Sequence, residues 1–235
     1  SLIDPLGQVG ALLVGLASGA AMGDLNSKVI LSCGALKQSE ALFITYGMTM
    51  IYGAAALILS GGSTLHLKRV EKSISMYEFI GQGGFGLLSV SFIIFLICLL
   101  ILYVFQSKTY FGRTIFLTGG KKEASRLAGI SVNRSMSIVF TISGLMTAMG
   151  AIMLFSRVTT ASPVIGKNYD TNAILAVVVG GTTLKGGKGS VLRTVLGVAL
   201  VTLLSNCMNL FGVSTYMQSV LKGAILVLAI CLDNN

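Results

Sequence analysis

Seven apolar segments follow one another along the chain, and they constrain its fold more than any other feature of the sequence. They cover residues 6–22, 41–60, 86–105, 136–156, 172–181, 191–211 and 216–232. A transmembrane helix needs about 20 predominantly apolar residues, so six of these segments are long enough to cross a bilayer, some with tilt. The segment 172–181 is too short alone. It either extends into its flanks or forms a broken or re-entrant helix against protein or a water-filled cavity.

The composition supports a membrane protein. Only 11% of the 235 residues are charged, whereas a soluble domain carries roughly a quarter. The sequence therefore predicts an all-α fold, a polytopic membrane helix bundle of about six or seven spans. No soluble domain interrupts the series, so residues 1–235 are expected to form a single transmembrane domain. The net charge of +9 could suggest nucleic acid, but the basic residues lie mainly between apolar segments, where control of topology explains them better.

The longest polar segment, residues 106–135, is basic and contains a predicted short helix. Residues 121–128 form this helix, and Gly129 follows at the position where a left-handed glycine commonly ends a helix. Glu123 opens the helix, where a carboxylate favours the helix dipole. A short helix on a basic loop of a very apolar protein is typical of a docking element for a cytoplasmic partner.

Three basic loops set the orientation under the positive-inside rule. They are residues 24–40, residues 106–135 and the loop that contains Lys185 and Lys188. Placing all three in the cytoplasm leaves the less basic loops outside and requires the segment 172–181 to cross. The C-terminus is then cytoplasmic. If that segment is re-entrant, the membrane orientation of every later segment is reversed.

Small residues recur every four positions in the first apolar segment, at Ala11, Gly15, Gly19 and Gly23. Such faces let helix backbones approach closely in a membrane. We expect this face to pack within the chain rather than against a second copy. Gly144 suggests a similar face in the segment 136–156.

Two glycine-rich segments superficially resemble nucleotide-binding motifs. Residues 81–86 fit G-x-G-x-x-G, but a dinucleotide site needs a preceding strand, and here a membrane span follows. We interpret them as a flexible loop. Residues 182–190 lack the first glycine and the final hydroxyl of a P-loop, so no ATP site is expected there. We interpret their glycines as a tight turn.

The sequence also shows no set of residues spaced as catalysis or metal binding requires. His66 is the single histidine, and the four cysteines lack metal-ligand or redox spacing. No carboxylate lies within an apolar segment, which argues against a proton relay or a carboxylate ion site. We therefore expect no enzyme activity, no metal and no cofactor bound by this chain.

Uncharged polar residues do occur within the apolar segments, and they are candidates for a solute path. These residues are Thr45, Thr49, Asn172, Asn206, Asn209 and Gln218. They either form hydrogen bonds between helices, as membrane bundles commonly do, or line a path for a hydrated, uncharged solute. The sequence favours neither interpretation.

The run GGKKEASRLAGI at residues 119–130 resembles the cytoplasmic EAA-type loop of ABC importer permeases. It is most similar to the ribose-type monosaccharide permeases, where Asn-x-x-Ala-Ala-Arg-x-x-Gly-Ile is usual. Further segments resemble motifs of that family in chain order, at residues 143–145, 161–166, 173–174, 176–191, 206–213 and 222–223. The resemblance is dense from about Thr109 to the C-terminus and weaker before it.

The resemblance implies a permease subunit of an ATP-driven sugar importer in the bacterial inner membrane. A second permease subunit, identical or paralogous, would complete the translocation path, and a periplasmic or extracellular binding protein would deliver sugar. Two cytoplasmic ATPase subunits would bind the ATP, and the loop helix would transmit their closure to the spans. The residues implied to contact the ATPase are Lys122, Glu123, Ala124, Ser125, Arg126 and Gly129.

The chain departs from the family pattern near its start. Family members usually begin with more spans, including a Gly-Gly-Ile-Asp-Leu-Ser segment that is missing here. We therefore expect a fragment or a shortened gene product. Two alternatives stay open: a truncated membrane scaffold that only binds partners, and a branched-chain amino-acid permease. The spans contain no obvious charged pair to hold the zwitterionic substrate of the latter.

Overall fold

The computed structural model describes residues 3–34, 38–66, 75–85, 88–120, 122–183 and 186–234. Within these ranges the helices are α1 (Ile3–Ser32), α2 (Gln38–Ser60), α3 (Ser75–Gln82), α4 (Val90–Lys108), α5 (Tyr110–Gly120), α6 (Lys122–Leu127), α7 (Val132–Val158), α8 (Tyr169–Val179), α9 (Val191–Leu210) and α10 (Thr215–Asn234). Two antiparallel pairs of two-residue strands accompany them. β1 (Leu65–His66) pairs with β4 (Thr160–Ala161), and β2 (Gly84–Phe85) pairs with β3 (Leu88–Ser89). The predicted all-α fold is confirmed.

Five helices of the described chain are long and apolar enough to cross a membrane. Their spans are Gly7–Ser32, Ser39–Ser60, Val90–Lys108, Val132–Val158 and Val191–Leu210. The sixth segment predicted from the sequence, 216–232, corresponds to the shorter apolar stretch Thr215–Cys231 of α10. α8 has 11 residues and is about 16 Å long at 1.5 Å per residue, roughly half the thickness of the hydrocarbon core.

Several predicted loops are helical instead. α1 continues to Ser32, so the prediction of a loop from Asp24 was wrong. Asp24 and Lys28 lie one helical turn apart and form an exposed ion pair of 2.6 Å, which adds modest support to the helix, and Ser27 on the same stretch bonds to Ser137 of α7. Residues 110–120, predicted as loop, form α5, and residues 75–82 form α3, so Gly81 lies in a helix and not in a flexible loop.

The chain divides into two compact units. Unit 1 contains Ser1–Cys98 and Ser131–Ile165, and unit 2 contains Leu99–Ile130 and Gly166–Asn235. The expectation of a single transmembrane domain over residues 1–235 stays a prediction.

In unit 1, α1 packs against α7 through glycines. A Cβ atom on Gly19 would lie 2.8 Å from the carbonyl oxygen of Gly144, and one on Gly23 would overlap the carbonyl of Phe140. The two helix backbones are therefore in direct contact. Ser27 and Ser137 extend this contact with a hydroxyl–hydroxyl hydrogen bond of 3.1 Å. The prediction that the small-residue face packs within the chain is confirmed.

The end of α7 in unit 1 packs against α3. Tyr77 stands edge-on to Phe155 with ring centroids 5.6 Å apart, and its hydroxyl donates to the carbonyl oxygen of Gln8 at 3.2 Å. Burial raises the pKa of the Tyr77 phenol, so the hydroxyl stays protonated and keeps this donor at neutral pH. Gly81 lies against the backbone of Ser156, where a side chain would not fit.

The core of unit 2 is formed by α8, α9 and α10. Leu175, Ala176 and Val201 are buried, and Ile225 and Leu226 of α10 pack against them. Gly197 of α9 faces the backbone of α8 so closely that an added Cβ would overlap the carbonyl of Ala176. As in unit 1, a glycine fixes which helices become neighbours.

We predict that Gly144→Val lowers the free energy of unfolding by about 3 kcal/mol, at the upper end for overpacking, because the new side chain meets the backbone of α1. The matched control is Gly53→Val in α2, where an added Cβ meets nothing within 4 Å. Denaturant titration in mixed micelles measures both variants. Equal stability of the two would contradict the packing described here.

Candidate functional site

α6 is a single short helix between α5 and α7, and its end has a well-defined geometry. The amide of Gly129 donates to the carbonyl of Arg126 at 3.0 Å, and the amide of Ile130 donates to the carbonyl of Ser125 at 3.0 Å. Gly129 has φ +77°, so these bonds form a Schellman motif with glycine at C′. The predicted glycine end of this helix is confirmed.

The side chains of α6 separate into an exposed and a buried set. Ala124, Arg126 and Gly129 are exposed, whereas Ser125 is buried. Leu127 is 91% exposed. It lies outside the candidate spans, so the membrane does not account for an exposed apolar side chain at this position. Lys122 and Glu123 belong to the helix, but their side chains lie outside the described part, as does the whole of residue 121. The helix thus presents an arginine and a leucine outward.

α5 joins α4 through a sharp bend. The hydroxyl of Thr109 donates to the carbonyl of Phe105 at 2.5 Å and accepts the amide of Gly112 at 3.2 Å. Gly112 is buried against the carbonyls of Phe105 and Gln106, which leave no room for a side chain. These contacts fix the direction in which α5 leaves α4.

The far end of α5 contacts the glycine-rich loop before α9. Gly119 and Gly120 lie against the backbone of Gly186 and Gly187, and a Cβ on Gly119 would be 3.2 Å from the nitrogen of Gly187. Gly186 and Gly187 have φ of +83° and +78°, which glycine adopts without strain. The predicted tight turn is confirmed for the described residues 182–183 and 186–190. We call this backbone contact the glycine contact.

Gln106, in the last turn of α4, connects to the same loop. Its Oε1 accepts the amide of Val191 at 2.8 Å, and its Nε2 donates to the carbonyl of Gly189 at 3.5 Å. Ser190, the residue at the N-cap of α9, forms no side-chain cap. Gln106 therefore caps α9 from 85 residues away in the sequence.

These contacts bring the two basic loops of unit 2 to one end of that unit. Lys188 is exposed in the loop beside the glycine contact, and Arg126 is exposed on α6. The other end of α9 lies about 30 Å away, since the helix has 20 residues. The shared end agrees with the orientation in which both loops face the same side of the membrane.

The candidate path residues lie in different settings. The hydroxyls of Thr45 and Thr49 donate to carbonyls of their own helix, at 3.0 Å each. Gln218 is buried, and its Nε2 donates to Asn209 Oδ1 at 2.8 Å and to the carbonyl of Val213 at 2.9 Å. That set closes the turn between α9 and α10. Asn172 is half-buried in the first turn of α8, and Asn206 is exposed on α9.

Sequence reasoning missed two features of this region. Gln106 lies at the end of an apolar run, and nothing local indicates that its partners are Gly189 and Val191. Leu127 was a visible signal, because it is a leucine within a polar, charged loop. Its exposure makes it a stronger contact candidate than the buried Ser125.

An all-α chain whose described residues include five helices long and apolar enough to cross a membrane, and a capped, exposed loop helix, is a polytopic membrane protein. The family model described as the permease component of the branched-chain amino acid transport system matches residues 2–230. The chain therefore belongs to this permease family, and the resemblance noted from its motifs is confirmed. No solved structure matches the chain.

Three curated relatives illustrate the similarity. The chain is 38% identical over 157 residues to the ribose import permease RbsC of Bacillus subtilis, covering 67% of this chain and 49% of that protein. It is 32% identical over 225 residues to RbsC of Escherichia coli K12, covering 95% and 68%. It is 33% identical over 222 residues to the autoinducer 2 import system permease LsrD of Photorhabdus luminescens, covering 94% and 65%. The chain thus spans about half to two thirds of the length of these relatives.

We predict that Gly129→Ala frays the end of α6, because alanine at φ +77° is strained by about 1 kcal/mol. Hydrogen exchange of the Ile130 amide, which bonds to Ser125, should become about fivefold faster. Gly129→Asn should have a smaller effect, since asparagine tolerates the left-handed region. Gly166→Ala is the matched control, at a turn glycine with open space around it. Unchanged Ile130 protection in Gly129→Ala would contradict the assigned cap.

Proposed function

We propose that this chain is a permease subunit of an ATP-driven importer of monosaccharides, and that α6 couples it to a cytoplasmic ATPase. The observation that carries the proposal is α6 itself. It is a short, capped helix whose Arg126 and Leu127 point outward, and it follows an α5 that is packed against the loop leading into α9. A partner that binds α6 is therefore connected, through α5 and this loop, to the membrane helix α9.

The proposed ATPase contact consists of the residues implied by the family motif together with Leu127. An exposed leucine next to an arginine suits a protein partner, because a contact would remove the apolar side chain from water and arginine is enriched among interface hot spots. Lys122, Glu123, Ala124 and Gly129 belong to the same segment. ATP would be bound by the partner, since residues 182–190 lack the P-loop pattern.

The proposed solute is polar and uncharged. Acidic residues within the five candidate spans are limited to Asp24, which pairs with Lys28, and Glu40 in the first turn of α2. Asparagines such as Asn172 and Asn206 both donate and accept hydrogen bonds, as a sugar hydroxyl requires. Two of the three relatives named above are ribose import permeases, and the third is named for autoinducer 2.

The proposed orientation puts α6 and the loop before α9 in the cytoplasm. α9 then leads outward, and the turn between α9 and α10 faces the side from which a binding protein would deliver the solute. If α7 crosses the membrane, residues 159–180 must return the chain to the cytoplasmic side. α8 covers about half of that distance as a helix.

We predict opposite labelling of the two ends of unit 2. In a variant with all four cysteines replaced, Leu127→Cys should react with a membrane-impermeant maleimide only from the cytoplasmic side. Tyr216→Cys, 85% exposed in the first turn of α10, should react only from outside. Sealed inside-out and right-side-out vesicles give the two measurements. Labelling of Leu127→Cys from outside would reject the orientation and the coupling role of α6.

We predict that Leu127→Ser reduces ATP-driven ribose uptake about tenfold, because it removes an apolar anchor worth about 1.4 kcal/mol or more at an interface. The full-length permease is reconstituted with its ATPase and binding protein in liposomes, and uptake and ATPase retention are measured together. Val164→Ser is the control, an apolar residue 62% exposed in unit 1.

The same assay separates the alternatives. Uptake that needs no ATPase would indicate a secondary transporter, and partner binding without uptake would indicate a scaffold. Uptake of leucine in preference to ribose would favour the branched-chain amino-acid permease. Full uptake by Leu127→Ser, with the ATPase retained, would remove this residue from the coupling contact.

A further inference from the structure

We propose that Gln106 is a positioning residue that ties the coupling segment α5–α6 to the α8–α9 pair, so that ATP hydrolysis is coupled to movement of these helices. This inference rests on the proposed function. It concerns a residue at the end of a membrane helix, outside the loop helix on which the family motif is centred. Its basis is the joint that Gln106 forms together with the glycine contact.

The two parts of this joint resist different motions. At the glycine contact, Gly119 and Gly120 meet Gly186 and Gly187 backbone to backbone, with no side chain that could bend. Such a contact transmits a push, because packed backbones do not interpenetrate. It offers less resistance to separation, since a gap of about 1 Å already forfeits up to half of the dispersion attraction.

Gln106 supplies the resistance to separation. Its Oε1 holds the amide of Val191 at 2.8 Å, and its Nε2 reaches the carbonyl of Gly189 at 3.5 Å. The shorter bond dominates, because hydrogen bonds weaken with distance. The amide of Val191 lies in the first turn of α9, which Ser190 leaves without a side-chain cap. Loss of Gln106 would therefore free both the loop and the beginning of α9.

The loop between the two parts is itself braced. The hydroxyl of Thr183 donates to the carbonyl of Gly186 at 3.2 Å, and the amide of Thr183 donates to the carbonyl of Lys188 at 3.3 Å. A displacement at Gly187 is therefore passed on to Gly189 rather than absorbed by the turn. Beyond the loop, α9 lies directly on α8 at Gly197 and Ala176, so the two helices move together.

Two buried hydroxyls beside the joint have no hydrogen-bond partner among the described residues. One belongs to Thr118, which precedes Gly119 and is 5% exposed, and the other to Thr182, against which Gly189 packs. Unsatisfied buried hydroxyls are rare and unfavourable. A movement of the joint that brought an acceptor to either hydroxyl would remove this cost.

The test uses full-length permease with Gln106→Leu, assembled with its ATPase and binding protein in liposomes. Leucine is similar in size but removes both hydrogen bonds. The ATP hydrolysed per ribose imported should rise about fivefold or more, the lower end of coupling between sites. Gln106→Glu keeps the acceptor for Val191 and should stay near the parent ratio, since a carboxylate suits a helix N-terminus. Thr183→Val, which loosens the loop brace, should raise the ratio less.

Two control variants and a second measurement separate positioning from stability. Ser107→Ala removes only a bond within α4, and Gln82→Leu makes the same chemical change in unit 1. Neither should alter the ratio. Hydrogen exchange of residues 191–194 should accelerate in Gln106→Leu and not in the controls.

Each result has a distinct meaning. Absence of ATP-driven uptake in the parent protein overturns the proposed function, whereas the exchange measurement still tests the joint. A normal ratio in Gln106→Leu overturns the inference alone. So does a loss of uptake that follows the amount of assembled protein at constant ratio, and so does unchanged exchange at the start of α9.

Discussion

Direct contact between helix backbones is the interaction on which both units of this protein depend. Lipid tails are as apolar as leucine, so membrane helices gain little from hiding apolar side chains and associate through close packing. Gly19 and Gly144 bring α1 onto α7, and Gly197 brings α9 onto α8. α4 contains no glycine, and no residue of it is fully buried within the described part of the chain. The positions of a few glycines therefore decide which of these helices become neighbours.

The sequence predicted the elements whose signals are local. Segment length predicted six spans, of which five are candidate spans among the described residues. The four-residue spacing of small residues predicted the face of α1, and Gly129 predicted the end of α6. Its failures share a cause, because polar residues were interpreted as loop. Asp24 and Lys28 lie within α1, where they pair with each other, and Thr109 lies at a bend between α4 and α5 rather than in a loop.

The candidate site was predictable only in part, for the same reason. The helix of residues 122–127 has a local motif, whereas Gln106 acts on residues 83 and 85 positions away. No periodicity or spacing indicates such a contact, since it exists only when α9 begins beside the end of α4. Two of the candidate path residues bond to each other. Gln218 donates a hydrogen bond to the side chain of Asn209, and together they close the turn between α9 and α10.

Both ends of α9 are held by side-chain amides, and the choice of amides has a physical basis. Gln106 accepts a backbone amide of the first turn, whereas Gln218 donates to the side chain of Asn209 in the last turn and to the carbonyl of Val213 beyond the helix. The first turn of a helix carries amides without intrahelical partners, and burying them costs free energy unless another group supplies the bond. A carboxylate or an ammonium could do so only with its own desolvation penalty near the hydrocarbon core. A neutral amide donates and accepts at much lower cost. α9 is thereby held at both ends by bonds that a movement of its neighbours can break and remake.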